Sequence, residues 1–217
     1  MFLDRRDAGI RLAEQLERYK HQSGVLVLAL PRGGVVTGYE VACRLNAPFD
    51  VLIVRKLGAP QQPELAIGAL SETGATVLNR DIIALLNVPQ EYIKREVERQ
   101  KDEIARRKDR YRGGRAIAGL EGKDIILVDD GVATGATVKA AIAAIREKRV
   151  RKLILALPVA PPETAEELKA LVDEFICLAT PLYFISVGSY YADFSQVSDD
   201  EVVALLREPS GACKKTS

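Results

Sequence analysis

Asp129 and Asp130 stand side by side at the end of an apolar run, Ile125-Ile126-Leu127-Val128, and are followed by Gly131-Val132-Ala133-Thr134-Gly135-Ala136-Thr137. The run reads as a strand buried on both faces. Such a strand delivers both carboxylates to its C-terminal edge, where open α/β sheets bind ligands. The turn formed by Ala133, Thr134, Gly135, Ala136 and Thr137 is small and rich in hydroxyls, and an alanine-rich helix follows it. Backbone N–H groups at the helix start, helped by the two threonine hydroxyls, can converge there on a phosphate. Carboxylates repel a phosphate beside them, so Asp129 and Asp130 suit sugar hydroxyls or an Mg²⁺-bearing face of the ligand. A phosphorylated sugar fits the whole stretch; the plain alternative is a strand-to-helix turn with capping threonines.

Three further groups could take part. Leu30-Pro31-Arg32-Gly33-Gly34 ends the apolar run Val25 to Leu30 with a cation and two glycines, which let backbone approach an anion closely. Taken alone, a plain tight turn explains it better. Arg55-Lys56 follows the run Val51 to Val54, and its plain reading is a surface pair at a strand end. Five of the twelve aromatic residues, Tyr183, Phe184, Tyr190, Tyr191 and Phe194, fall late in the chain. Aromatic faces stack on planar bases, and packing of the last strand accounts for some of them equally well.

These groups need a frame. Leu12, Leu16 and Tyr19 fall at helical spacing after Asp4 or Asp7, either of which can cap a first helix reaching Lys20. His21 then reads as a solvated helix-end residue. Apolar runs recur at Leu153 to Leu157 and, more weakly, at Phe175 to Ala179, and helical stretches lie at Val35 to Leu45, Thr137 to Lys148 and Glu163 to Val172. This alternation predicts an α/β fold with a doubly wound, mainly parallel five-stranded sheet. About seventy residues between Val54 and Ile125 interrupt it, an excursion long enough to suggest a lid or binding loop. It contains a Pro- and Gln-rich loop from Gly58 to Pro63, a hairpin pattern pairing Ala66 to Leu70 with Ala75 to Leu78, and a charged helix from Gln90 to Tyr111. The helix has a narrow apolar stripe, Ile93, Val97, Ile104 and Tyr111, and Lys94 to Arg115 holds ten Lys or Arg against five Asp or Glu. One reading is an exposed, salt-bridged helix. The other is a lid or dimer element whose Arg110, Arg112 or Arg115 reaches an anion on closing.

Composition removes several function classes. Among 217 residues there are 31 Lys plus Arg, 30 Asp plus Glu and one His, a formal charge of +1, so any polyanion site must be local. Cys43, Cys177 and Cys213 form no CxxC pair, which argues against a disulfide framework and a structural zinc site and for a reducing, cytoplasmic setting. The early charges Asp4-Arg5-Arg6-Asp7 leave no room for the apolar core of a signal peptide, and no apolar run approaches about 18 residues. Residues 1–208 are expected to form one domain, with 209–217 a disordered tail.

The stretch Ile125 to Thr137 resembles the PRPP-binding signature of the type I phosphoribosyltransferases: four apolar residues, two acids and a spacer ending in Thr-Gly-X-Thr. Together with Pro31-Arg32-Gly33-Gly34 and Arg55-Lys56-Leu57-Gly58-Ala59-Pro60 it is similar to an uncharacterised bacterial subgroup of that family. The resemblance implies the type I fold, with a lid or flexible-loop insertion at about 57–118 and a small hood from the N-terminus and residues 180–208. It implies that Asp129 and Asp130 bind the ribose hydroxyls of PRPP while Ala133, Thr134, Gly135, Ala136 and Thr137 cradle its 5-phosphate. Pro31, Arg32, Gly33, Gly34 and Lys56 would bind the diphosphate, with a cis peptide at Pro31-Arg32 or Arg32-Gly33. Arg32, Lys56, Asp129 and Asp130 form the expected catalytic set, Glu64 falls where relatives keep a mobile catalytic loop, and Tyr183, Phe184 and Tyr190 are the candidates for stacking the base. The implied cofactor is Mg²⁺, held mainly by PRPP and water with contacts from Asp129 and Asp130, and a homodimer is expected.

The implied reaction displaces diphosphate from Mg·PRPP with a nitrogenous base to give a nucleoside 5-monophosphate. The base does not transfer, because the known salvage groups differ at the diphosphate loop and hood. The alternative is a non-catalytic PRPP- or nucleotide-binding regulator acting on RNA or a partner. Nucleic acid is disfavoured because acids interrupt the basic helix, and about twenty residues before the first strand are too few for a helix-turn-helix module. A sugar-phosphate hydrolase would need a Ser-His-Asp set or metal cluster, which the residues do not supply.

Overall fold

The computed structural model describes residues 1–117 and 119–208, the side chain of Glu64 excepted. The expected tail, 209–217, lies outside the described residues, as does any catalytic role of the Glu64 side chain. Five parallel strands, β1 (Val25–Ala29), β2 (Phe49–Val51), β6 (Asp124–Val128), β7 (Lys152–Val159) and β8 (Glu174–Ala179), form a sheet in the order β2-β1-β6-β7-β8. The apolar runs of β1, β6 and β7 become strands buried on both faces, as a parallel sheet between helical layers requires, while the edge strand β8 is half-buried. Val25, Val27, Ile126 and Val128 pack under α1 (Arg5–Gln15) and α2 (Gly33–Leu45), whereas Leu26, Leu28, Ile125 and Leu127 pack under α5 (Ala136–Arg146) and α6 (Pro162–Lys169). Asp4, not Asp7, caps α1, accepting from the Asp7 N–H, and the helix ends at Gln15 before a short 3-10 turn.

The run Val51 to Val54 is not one strand. β2 stops at Val51, and Val54 opens β3 (Val54–Ala59), which leaves the parallel sheet for an antiparallel one of order β3-β4-β5, with β4 at Gln62–Ser71 and β5 at Thr76–Leu78. The two residues between are buried yet satisfied from both sides. Leu52 N–H donates to Ala29 O, while Ile53 N–H donates to the Glu72 carboxylate and Ile53 O accepts from Glu72 N–H. The chain thereby crosses between sheets with both N–H groups and the Ile53 carbonyl satisfied. The Gly58 to Pro63 loop is likewise corrected: Ala59 pairs with Gln62 across a tight turn, and Gly58 backs so closely on Pro63 that a Cβ would lie 2.6 Å from its carbonyl oxygen. The expected hairpin is present, with Ala69 opposite Val77 and Leu70 opposite Thr76.

The charged helix is α4 (Gln90–Arg112), preceded by the short α3 (Arg80–Leu85). It is packed on the second sheet by more than its apolar stripe. Ile93, Ile104 and Tyr111 are buried together with Glu96, Gln100 and Arg112, and Gln100 links the Arg55 guanidinium of β3 (3.0 Å) to Glu96 (2.9 Å). On the outer face Lys94–Glu91, Lys101–Glu98 and Arg106–Glu103 pair one helical turn apart. Arg112 is no lid cation. Its guanidinium is buried in ion pairs with Glu72 and, at 3.6 Å, Asp50, so it pins the end of α4 to the crossing between the sheets. Arg115 donates to the Arg112 carbonyl and Arg110 reaches Asp200. α7 (Asp199–Arg207), capped by Ser198 and Glu201 in a reciprocal capping box, closes the molecule against α2 and α4.

Burial pushes the Glu72 carboxyl up, against the pull of the Ile53 N–H and the Arg112 cation. Removing Glu72 would leave the buried Arg112 guanidinium without its nearest partner. Glu72→Ala should therefore cost about 3 kcal/mol in urea unfolding, the range for breaking a buried pair; a loss below about 0.5 kcal/mol, typical of a surface pair, would show that this crossing does not depend on it.

Candidate active site

The strand order reverses between β1 and β6. From β1 the chain moves through α2 to β2 on one side, and from β6 through α5 and α6 to β7 and β8 on the other. The C-terminal ends of β1 and β6 therefore flank the crevice at which doubly wound sheets take ligands. Ala29 and Val128 are paired in register, so the Pro31-Arg32-Gly33-Gly34 turn and the Asp129-Asp130 pair emerge next to each other. The peptide between Pro31 and Arg32 is cis, at the first of the two expected positions.

The two glycines are there because the acids are. A Cβ on Gly33 would lie 1.9 Å from Asp130 Oδ2, and one on Gly34 would lie 2.7 Å from Asp129 Oδ1 and 2.9 Å from Asp129 Cα. No side chain could stand at either position without moving the carboxylates. Asp129 Oδ1 accepts from the Asp130 N–H at 2.9 Å. Burial, reinforced by the neighbouring Asp130 charge, pushes the Asp129 carboxyl well above the usual carboxylate range, with that N–H and Arg5 pulling the other way. Asp130 Oδ2 accepts from Arg5 Nε at 2.7 Å.

Beyond the acids, Gly131 (φ 142°) turns the chain under Val187 and Val159, and Gly135 (φ 74°) places a left-handed residue just before α5. Ala133 and Thr134 are exposed, and the Ala133 carbonyl accepts from Thr164. Both α5, opening at Ala136-Thr137, and α2, opening at Gly33-Gly34, start without a side-chain cap, whereas α1, α3 and α7 are capped by Asp4, Asn79 and Ser198. α4 and α6 also lack one, but each follows a proline. Two helix starts without a side-chain cap, with their dipoles, thus flank one acid pair, an arrangement suited to anionic groups on either side of a polyhydroxylated centre.

The expected basic pair separates. Arg55 and Lys56 are successive residues of β3 and face opposite sides of the sheet. Arg55 turns to α4 and Gln100, where burial, then the charge of Arg107, lowers its pKa. Lys56 shares the other face with Val54, which packs with Val138 and Ala141 of α5. Arg32 leans to within 4.0 Å of Asp199, a carboxylate also bound by the Tyr111 hydroxyl (2.6 Å) and by Arg110 (3.3 Å). Burial acts to raise Asp199, but the Tyr111 hydroxyl and the surrounding cations outweigh it and hold the group low.

The aromatic cluster divides in two. Phe184 stacks on Tyr190 with centroids 5.6 Å apart, Tyr190 donates to the Tyr183 carbonyl, and the Tyr183 side chain is exposed. None of these three has a contact with the acid pair among the described residues. Tyr191 does: it is buried against Phe2 and Phe194, and its hydroxyl donates to the Asp130 carbonyl. The residue missed from sequence is thus Arg5, which lies 125 positions from its partner and reads as one more charge at a helix start; Tyr191 stands out in the sequence only as one of the late aromatic residues, without this contact. His21 is exposed beside Asn46, away from these groups.

The sequence model of the phosphoribosyl transferase domain matches residues 3–195. The chain belongs to that family. Two chains from strains CDC 1551 and H37Rv of Mycobacterium tuberculosis, both provisionally named as phosphoribosyl transferases, are 46% identical over 206 residues. The match covers 95% of this chain but 46% of theirs, so the chain spans about half the length of these relatives. The crystal structure of TT1426 from Thermus thermophilus superposes with a TM-score of 0.79 at 47% identity, covering 95% of this chain and 97% of that one. The doubly wound sheet is that of the type I family. No helix among the described residues is long and apolar enough to cross a membrane.

The raised Asp129 carboxyl has a stability consequence. Its contribution is favourable below the unfolded value of about 4 and is lost as pH rises through the higher folded value. Asp129→Asn keeps an oxygen for the Asp130 N–H and removes the buried charge. At pH 7.5 and without ligand it should melt roughly 2 °C or more above the parent protein, the gain shrinking as pH approaches 4. A lower melting temperature at pH 7.5 would contradict the electrostatic picture of the pair.

Proposed function

We propose that the protein transfers a phosphoribosyl group, displacing diphosphate from Mg·PRPP with a nitrogenous base to form a nucleoside 5-monophosphate. The observation that supports this most is the flanking of the Asp129-Asp130 pair by two uncapped helix starts at the sheet's reversal point. In this reading the pair takes the ribose hydroxyls. The turn Ala133 to Thr137 takes the 5-phosphate, and Pro31 to Gly34 with Lys56 takes the diphosphate.

Departure of diphosphate builds positive charge at the anomeric carbon and negative charge on the leaving group. Backbone donors of the Gly33-Gly34 turn and the cations of Arg32 and Lys56 would stabilise the leaving group as its charge grows, the kind of fixed electrostatic assistance that needs no reorganisation. Holding ribose and 5-phosphate at two points would fix the anomeric carbon for attack by the base. No group of three or more His, Cys, Asp or Glu among the described residues is placed to hold a metal ion. A pair of carboxylates suits Mg²⁺ that arrives with the substrate and keeps most of its ligands from PRPP and water, and its charge would lower the cost of separating the diphosphate.

Purified protein incubated with Mg·PRPP and a panel of nucleobases should release diphosphate with at least one of them. Tight PRPP binding with no release across the panel would instead favour the regulatory reading. Asp129→Asn with Asp130→Asn should weaken PRPP binding by about a hundredfold or more, the scale of two lost charge-assisted hydrogen bonds, with an unchanged circular dichroism spectrum. Unaltered affinity would remove the acid pair from the site. Lys56→Ala should lower kcat/KM by about a hundredfold; an effect below about twofold would take Lys56 out of the diphosphate site.

A further inference from the structure

Arg5 is the first residue of α1, and it is only 9% exposed. Nothing in the helix accounts for its burial. A cation at a helix N-terminus opposes the macrodipole, and burying an ion pair costs more desolvation than an apolar side chain would. Its partners lie elsewhere. Nε donates to Asp130 Oδ2 at 2.7 Å, Nη1 donates to the Ser195 carbonyl at 2.7 Å, and the guanidinium carbon sits 3.8 Å from the centre of the Phe194 ring. The Gly33 backbone packs over the pair, since a Cβ there would meet Asp130 Oδ2 and, at 2.8 Å, Arg5 Nε.

We infer that Arg5 is a positioning residue of the phosphosugar site: it fixes the Asp130 carboxylate for a ribose diol and ties the 190–197 segment to that carboxylate. The inference rests on the proposed phosphoribosyl transfer. The geometry of the fork is the reason. Arginine commonly grips a carboxylate with two parallel bonds, but here the fork is split between Asp130 and Ser195. One carboxylate oxygen is held and the group retains capacity to accept from substrate hydroxyls. Arg5 holds the 190–197 segment through Ser195 and Phe194, and the Asp130 carbonyl holds the same segment separately through the Tyr191 hydroxyl. Occupancy of the sugar site and order in residues 190–197 are then linked. Lysine cannot reproduce this, because an ammonium lacks the planar fork and the face that stacks on Phe194.

The test is a double-mutant cycle read by calorimetric binding of Mg·PRPP and by amide hydrogen exchange of residues 190–197 with and without it. Arg5→Met should weaken binding about tenfold or more and abolish the ligand-induced protection of 190–197. In an Asp130→Asn background the same change should have little further effect, because Arg5 acts through that carboxylate. Arg5→Lys, which keeps the charge and serves if Arg5→Met does not fold, should restore only part of the affinity. Unchanged affinity in Arg5→Met, full rescue by lysine, or a loss that simply adds to that of Asp130→Asn would overturn the role of Arg5. Failure of the unmodified protein to bind Mg·PRPP would overturn the functional reading itself, and this inference with it.

Discussion

Two adjacent carboxylates brought to the end of a buried strand are the constraint around which the rest of the molecule is arranged. Asp129 and Asp130 repel each other in a region with little water, and each therefore needs a fixed partner. The Asp130 N–H serves Asp129, and Arg5 serves Asp130. The requirement spreads outward. Gly33 and Gly34 leave the volume the carboxylates occupy, Gly131 turns the chain away at once, and Tyr191, Ser195 and Phe194 close around Arg5. In the proposed function, a pair this costly would gain its value from a ligand with hydroxyls to offer and anionic groups on both sides.

Polar packing also governs the second sheet. α4 would be hard to seat by its apolar stripe alone, and Gln100, Glu96 and Arg112 supply a buried set of directed bonds to β3 and to the sheet crossing. The basic excess of this helix is largely consumed at home: one face pairs with its own acids, and Arg110 and Arg112 pair with α7 and with Glu72. The near-zero net charge of the chain goes with local neutralisation of this helix, and in the proposed function the cations of Arg32 and Lys56 would act over short range.

What was legible in the sequence were features encoded over short spans. The apolar runs Val25 to Leu30, Ile125 to Val128 and Leu153 to Leu157 identify parallel strands because burial on both faces removes polar alternation, and the acid pair and Thr-Gly-X-Thr turn lie within one such span. The run Val51 to Val54 misled because its residues are all buried, yet the chain changes sheets in the middle of it; what decides this is Glu72, eighteen positions beyond Val54, whose carboxylate and backbone replace a neighbouring strand. Arg5, and the contact made by the otherwise conspicuous Tyr191, were illegible for the same reason. Their meaning depends on a partner, Asp130, that only the tertiary fold brings near. Arg55 and Lys56 show the converse: adjacent in sequence, they are parted by the two-residue period of a strand.

The measurement that tests this account most directly is a crystal structure of the protein with Mg·PRPP. The account predicts the ribose hydroxyls within about 3 Å of Asp129 and Asp130, the 5-phosphate on the backbone N–H groups of residues 134–137, and Arg5 still donating to Asp130. A phosphosugar bound elsewhere, with the Arg5–Asp130 pair closed off from it, would contradict the central claim.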